Sequence, residues 1–107
     1  MNTFLVILKE KSAERLDADL LREHIKHLEK LNKSSSLIVC GPFVDDSGAF
    51  QVIQAESLEI AKDLVQQDPF IRDAYYADYS ITEFYQADES NGYLMQHDQT
   101  LDELNRE

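Results

Sequence analysis

Two histidines and one aspartate combine residue types and spacings that could do acid–base chemistry. His24 and His27 lie in a segment whose apolar residues recur at the 3.6-residue period of an amphipathic helix. Charged side chains fill one side of that helix, and both histidines share the apolar stripe with Leu16, Leu20, Leu28 and Leu31. Because an imidazole on a core-facing stripe needs a hydrogen-bond partner, we predict that Asp68, in the segment Gln67–Phe70, pairs with His24.

An Asp–His pair is suited to proton transfer. The carboxylate fixes the tautomer and the orientation of the imidazole, so the free ring nitrogen can accept or donate a proton. Structural roles are the alternatives. His24 could be a core histidine bonded to a backbone carbonyl, and Asp68 could be the N-cap of a helical turn that begins at Pro69.

Other chemistry is less well supported by the sequence. His24, His27 and Asp68 form an incomplete set of metal ligands at a common spacing, so we predict no metal site. Cys40 lies in a predicted strand, where a lone cysteine is more often a packing residue than a nucleophile. No glycine-rich phosphate-binding loop is present, so we predict no nucleotide cofactor.

The elements that must position these residues follow the order βαββαβ. Short apolar runs bounded by turn residues predict strands at 4–8, 37–40, 50–55 and 76–84. A first helix is predicted from a cap at Ser12 to Lys30 or Leu31, and a second from a cap at Ser57 to a break at Pro69. A length of 107 residues fits one such unit, and the order predicts an α+β, ferredoxin-like fold.

The first two strands are apolar on both faces. In the first strand, Phe4, Val6 and Leu8 point to one side of the sheet, and Leu5 and Ile7 point to the other. Both helices of a βαββαβ unit cover the same face, so the second face would remain apolar and in water. We therefore expect a homodimer packed sheet to sheet.

The net charge of −11 argues against nucleic acid and anionic membrane surfaces as partners. The first apolar run is too short for a membrane span or a signal peptide. Cys40 is the single cysteine, so no intrachain disulfide can form and a cytoplasmic location is expected. Residues 86–107 hold six acidic residues and one arginine. We predict a solvated tail there, with a short helix capped at Thr100, and the alternative is an arm that packs on a partner subunit.

Three segments, in this order and at this spacing, are similar to one known family. They are Arg22–Leu28 on the first helix, Cys40–Phe43 with the acidic hairpin Asp45–Gly48, and Glu59–Lys62 leading to Gln67–Phe70. They resemble the YCII-related family of small dimeric α/β-barrel proteins, over about residues 3–85. The resemblance implies a ferredoxin-like dimeric domain over residues 1–85 and a His–Asp pair in a pocket between the helices and the sheet.

The resemblance gives a site and leaves the reaction open. It implies catalytic roles for His24 and Asp68, and one characterised branch of the family is linked to removal of chloride from a chlorinated hydroxyquinol. We expect the pocket to be lined by six further residues, His27, Gly41, Pro42, Phe43, Phe70 and Tyr79.

Two functions of different classes are consistent with these residues. The first is a cofactor-independent lyase or isomerase in which His24, held by Asp68, is the general base or acid for a small cyclic or unsaturated organic molecule. The second is a non-catalytic homodimer that binds a small molecule or serves as an accessory protein, because this scaffold does not by itself establish chemistry. An enzyme needs one imidazole nitrogen of His24 open to a cavity, whereas a structural pair would be sealed on both nitrogens.

Overall fold

The computed structural model describes residues 1–105, with the side chain of Thr100 excepted. The strands are β1 (Asn2–Lys11), β2 (Leu37–Pro42), β3 (Ala49–Ala55) and β4 (Tyr76–Phe84). The α-helices are α1 (Ala18–Lys33), α2 (Leu58–Gln66), α3 (Pro69–Arg72) and α4 (Asp98–Leu104). The described residues also contain two 3₁₀ segments, Ala13–Arg15 and Glu89–Leu94.

The βαββαβ order and the ferredoxin-like fold predicted from the sequence are confirmed. The sheet is antiparallel with the order β2-β3-β1-β4. The apolar strand β1 lies inside the sheet, where Phe4 is opposite Ile53 of β3 and Glu83 of β4. The register of β2 against β3 shifts between Leu37 and Val39.

The core lies between one sheet face and the helices. Phe4, Val6 and Leu8 of β1 are buried on this face, where they belong to one cluster with Leu20 of α1 and Val65 of α2. Each buried aliphatic side chain of this kind contributes about 1.5–3 kcal/mol relative to exposure. The alternation of β1 therefore anchors both long helices to one side of the sheet.

The opposite sheet face keeps apolar side chains near solvent. Leu5, Ile7 and Val52 are half-buried, and Val39 is 47% exposed. This is the surface on which the expectation of a homodimer rests.

Helix α1 begins later than the sequence pattern predicts. Its N-cap is Asp17, whose carboxylate accepts a hydrogen bond from the Leu20 amide at 2.8 Å. Ser12 instead precedes the 3₁₀ turn and caps nothing with its side chain. The helix starts later because the 3₁₀ turn comes between Ser12 and Asp17. Leu16 therefore lies outside the helix and is 41% exposed. The helix also continues past Leu31 to Lys33.

The C-terminal segment is folded but thinly packed. Asp88 and Asn91 form a reciprocal capping box at the start of the second 3₁₀ segment, none of whose residues is buried. The following helix is capped by His97 rather than by Thr100, so it begins at Asp98, before the predicted cap. Over the described residues, the helices are all too short or too polar to cross a bilayer.

Candidate functional site

Asp68 lies at the junction of α2 and α3, with its side chain facing the core. It is the N-cap of α3, whose first residue is Pro69, and its Oδ1 accepts the Phe70 amide hydrogen bond at 2.9 Å. The same Oδ1 is 2.7 Å from His24 Nδ1. Its other oxygen, Oδ2, accepts a hydrogen bond from Gln51 Nε2 at 3.1 Å. With an exposed fraction of 0%, the carboxylate is thus held by three donors in a dry site.

His24 comes from the middle of α1, and two contacts fix its ring. The Asp68 carboxylate binds Nδ1, and the Phe70 ring stacks on the imidazole with centroids 3.7 Å apart and planes 6° from parallel. Because a carboxylate only accepts, the neutral imidazole carries its proton on Nδ1. Nε2 is then an unprotonated acceptor.

The second nitrogen of His24 is neither sealed nor hydrogen-bonded in the described structure, and the residue lines a cavity. Nε2 has no hydrogen-bond partner in the described part of the chain, and the one sealed, unpartnered side-chain nitrogen there belongs to His27. The His24 side chain is 13% exposed and lines a cavity of about 390 Å³. This is the arrangement that a proton-transfer residue needs, with one nitrogen held and one available.

The cavity lies between α1, α3 and the ends of the four strands. Its walls are mostly apolar and aromatic, formed by Leu8, Leu16, Leu21, Leu28, Ala49, Phe50, Phe70, Tyr75 and Tyr76, with Gln51, Cys40, Gly41 and Pro42 beside them. Lys11 and Asp46, which form an ion pair, complete its lining. A site of this size and composition suits one small ring.

Burial keeps two titratable groups in the cavity wall, Tyr76 and Cys40, in their neutral forms. It raises the pKa of Tyr76 to about 12, so the phenol remains a hydrogen-bond donor. Burial also raises the pKa of the Cys40 thiol, which disfavours the thiolate that a nucleophile requires. The hydrogen bond to Asp46 raises the pKa of Lys11, so its ammonium stays charged. The cavity wall therefore combines the Lys11–Asp46 ion pair with neutral hydrogen-bonding groups.

Six residues were predicted to line the pocket, and the structure places three of them there. Gly41, Pro42 and Phe70 line the cavity with His24. His27, Phe43 and Tyr79 do not line it.

His27 is one helical turn from His24 but does not line the cavity. Its Nε2 is buried without a hydrogen-bond partner among residues 1–105, and burial lowers its pKa. The ring of Phe43 packs on Phe50 outside the cavity, with centroids 6.1 Å apart. Tyr79 packs against the core, and its hydroxyl accepts a hydrogen bond from Gln66 at 3.1 Å. No three His, Cys, Asp or Glu side chains in the described structure are grouped as metal ligands.

Two polar residues of the site were missed from the sequence. Gln51 occupies an inward position between Ala49 and Ile53, and a polar residue at such a position is the signal that could have identified it. Lys11 ends a strand and gave no such signal. It reaches the cavity because the preceding residue, Glu10, has a φ of 59°, which interrupts the alternation of β1.

Comparisons with known proteins agree with this fold. The model of the YCII-related domain matches residues 1–85. The uncharacterized protein YjpA of Bacillus subtilis is 31% identical over 71 residues, which cover 66% of this chain and 81% of that protein. An uncharacterized protein of Haemophilus influenzae is 31% identical over 72 residues, covering 58% of this chain and 74% of its own length.

A solved structure also shares the architecture. It is the 5-chloro-2-hydroxyhydroquinone dehydrochlorinase of Burkholderia phenoliruptrix in complex with 2,5-dihydroxybenzoquinone, with a TM-score of 0.66 and 23% identity. The match covers 82% of this chain and 97% of the dehydrochlorinase chain. At this identity the likeness shows the fold alone. From the match over residues 1–85 and the two sequence relatives, the chain belongs to the YCII-related family.

Proposed function

We propose that this protein is a cofactor-independent lyase or isomerase that moves a proton on a small cyclic or unsaturated organic molecule. The observation that carries the proposal is the state of the His24 ring. Nδ1 is bound to the buried Asp68 carboxylate at 2.7 Å, while Nε2 has no partner in the described structure and the residue lines a cavity of about 390 Å³. A purely structural pair would have no need to leave a nitrogen open.

In this proposal, His24 Nε2 is the general base. It takes a proton from an acidic C–H or O–H bond of the substrate, and the bonding electron pair either moves the double bond or expels a leaving group such as chloride. The imidazolium that forms is stabilised by the Asp68 carboxylate beside Nδ1. In an isomerisation the proton returns to a different atom, and in an elimination it leaves with the departing anion into water.

The site also explains how the base would be held still. Gln51 and the Phe70 amide keep the carboxylate in place, and the Phe70 ring prevents the imidazole from tilting. A preorganised base needs little rearrangement before proton transfer. The apolar walls exclude water and suit an unsaturated ring.

We also propose a homodimer formed through the open sheet face, in a reducing cytoplasm. Leu5, Ile7, Val39 and Val52 support the dimer, because burying this face would remove apolar surface from water. The lone Cys40 supports the compartment. Light scattering tests the dimer, and a clean monomer at micromolar concentration would contradict it.

The experiment for the activity uses two readouts. The first is chloride release from 5-chloro-2-hydroxyhydroquinone, the substrate named for the structural neighbour. The second is solvent deuterium exchange into cyclic enolisable ketones, followed by NMR, which reports a general base without a leaving group. We expect His24→Gln to lower whichever rate is found by at least about 100-fold.

The matched control is His27→Gln, which changes the neighbouring histidine of the same helix outside the cavity. It should keep the rate within about threefold once folding is verified by circular dichroism. Equal rates for both variants, or no reaction in either readout, would reject the enzyme. The non-catalytic small-molecule-binding homodimer would then be the function to test.

A further inference from the structure

We propose that the cavity selects a small ring carrying a single negative charge, which binds Lys11 in place of the Asp46 carboxylate. This inference names the substrate class of the site and rests on the proposed function for its catalytic meaning. Its physical basis is an ion pair in the cavity wall whose lysine is mostly buried and whose carboxylate is mostly exposed.

The position of Lys11 is set by an unusual backbone conformation. In β1 the even-numbered Phe4, Val6 and Leu8 face the core, so regular alternation would turn Glu10 inward and Lys11 outward. Glu10 instead has a φ of 59°, which non-glycine residues rarely adopt. Lys11 consequently lines the cavity beside Leu8, and its side chain is only 16% exposed. Strain that places a charged side chain in a cavity is typical of functional sites.

The counterion of Lys11 is exchangeable. Asp46 lies at the tip of the β2–β3 hairpin, and its side chain is 85% exposed. The hairpin does not depend on the ion pair for its shape, because Asp45 accepts hydrogen bonds from the amide and the hydroxyl of Ser47 at 3.0 and 2.6 Å. Asp46 can therefore release Lys11 into water without unfolding the turn, and such exposed pairs contribute little to stability.

The charge of the ligand follows from this exchange. Among the lining residues, Lys11 is the one cation and Asp46 the one carboxylate. A neutral ligand that pushed Asp46 aside would leave a poorly hydrated ammonium without a partner. A dianion would bring a charge that nothing in the wall neutralises, near the carboxylate of Asp68 behind His24. A monoanion replaces Asp46 one for one.

The ring follows from the remaining walls. Leu8, Phe50 and Phe70 offer apolar and aromatic surface, and Tyr75 and Tyr76 lie on the side of Lys11. The phenol of Tyr76 stays protonated near neutral pH and can donate to the same anionic oxygen. A phenolate, an enolate or a carboxylate on one ring shares this chemistry.

The test uses benzoate and the neutral isostere benzamide as probes, with binding followed by ¹H–¹⁵N chemical-shift titration of the full chain. We expect the wild type to bind benzoate at least about tenfold more tightly than benzamide. Lys11→Met should weaken benzoate by at least about tenfold and leave benzamide within about twofold, whereas Lys11→Arg should retain the preference. Asp46→Asn should strengthen benzoate about two- to fivefold, because it removes the competing carboxylate.

The matched control is Lys9→Met, which removes the same charge from an exposed position of the same strand. Benzoate should bind this variant within about twofold of the wild type. Equal affinities for the two probes, equal losses in the two lysine variants, or no benzoate binding up to about 10 mM would overturn the inference. The same titration with the phenolate of 4-nitrophenol shows whether the site prefers an anionic oxygen attached to the ring or a carboxylate.

Failure of this inference is distinguishable from failure of the proposed function. The preference for benzoate is assigned to Lys11 and the proton-transfer rate to His24, so variants of these two residues report on the two proposals separately. Benzoate selectivity without proton exchange or chloride release would reject the enzyme and keep the anion site. Proton exchange with no preference for benzoate would reject the anion site and keep the enzyme.

Discussion

Replacing Asp68 should be among the most damaging single changes in this protein. The side chain is fully buried and accepts hydrogen bonds from His24, Gln51 and the Phe70 amide. Hydrogen bonds to a charged acceptor contribute about 1.5–3 kcal/mol each, although three bonds to one group are not additive. For Asp68→Ala we expect a loss of about 3–5 kcal/mol, because three buried donors lose their acceptor at once. Such a loss is a large part of the roughly 5–15 kcal/mol that holds a domain of this size together.

Asp68→Asn separates charge from geometry. Its amide oxygen can still accept from His24 and the Phe70 amide, and the Gln51 amide can reverse so that its oxygen accepts from the new NH₂ group. Only the charge assistance is lost, so we expect a smaller loss of about 1–2 kcal/mol.

Urea denaturation of the wild type, both Asp68 variants and Asp63→Ala measures these differences. Asp63 is an exposed carboxylate on α2 and is not among the buried residues of that helix, so its loss should change stability by no more than about 0.5 kcal/mol. A cost for Asp68→Ala below about 1 kcal/mol, or equal to that of Asp63→Ala, would refute the view that Asp68 holds three donors in a dry site.

Three further predictions concern the rest of the chain. Gly48→Ala should cost about 1–3 kcal/mol in urea denaturation, because the new Cβ would collide with the backbone carbonyl of Leu8. Burial lowers the pKa of His27 from its usual 6.5, so the unfolded chain binds the proton first. The stability that this residue contributes is complete above about pH 6.5 and is lost as the pH falls toward its lower folded-state pKa. In the His27→Gln variant, the midpoint of urea denaturation should therefore depend less on pH in that range. Deleting residues 90–107 should leave a folded body with a cost below about 1 kcal/mol, and loss of the cooperative unfolding transition would contradict this.

Much of the fold was predictable because its signals are local. Strand β4 has the bounds expected for an apolar run that ends near Tyr85, and the Asp–Pro step gave both the end of α2 and the cap of α3. The start of α1 was wrong because Ser12 and Asp17 are both good caps, and the competing 3₁₀ turn between them leaves no periodic signal.

The candidate site was predictable only where a core position demanded a polar partner. His24 on an apolar stripe required an acceptor, and Asp68 beside a proline at a helix start could supply one. Lys11 could not be identified in this way, because its place in the cavity depends on a left-handed backbone conformation at Glu10. The sequence also did not separate His24, which lines the cavity, from His27, which does not, because both histidines share one wide apolar stripe.

The protonation pattern of the His24 ring is the most direct test of the account. Long-range ¹H–¹⁵N correlation spectra of the neutral imidazole should show a proton on Nδ1, hydrogen-bonded to Asp68, and an unprotonated Nε2. Asp68→Ala should abolish that preference, and the Nε2 resonance of the wild type should shift when a cavity ligand such as benzoate is added. A neutral ring with its proton on Nε2, or an Nε2 resonance unaffected by a bound cavity ligand, would contradict the claim that His24 is held by Asp68 as a base facing the cavity.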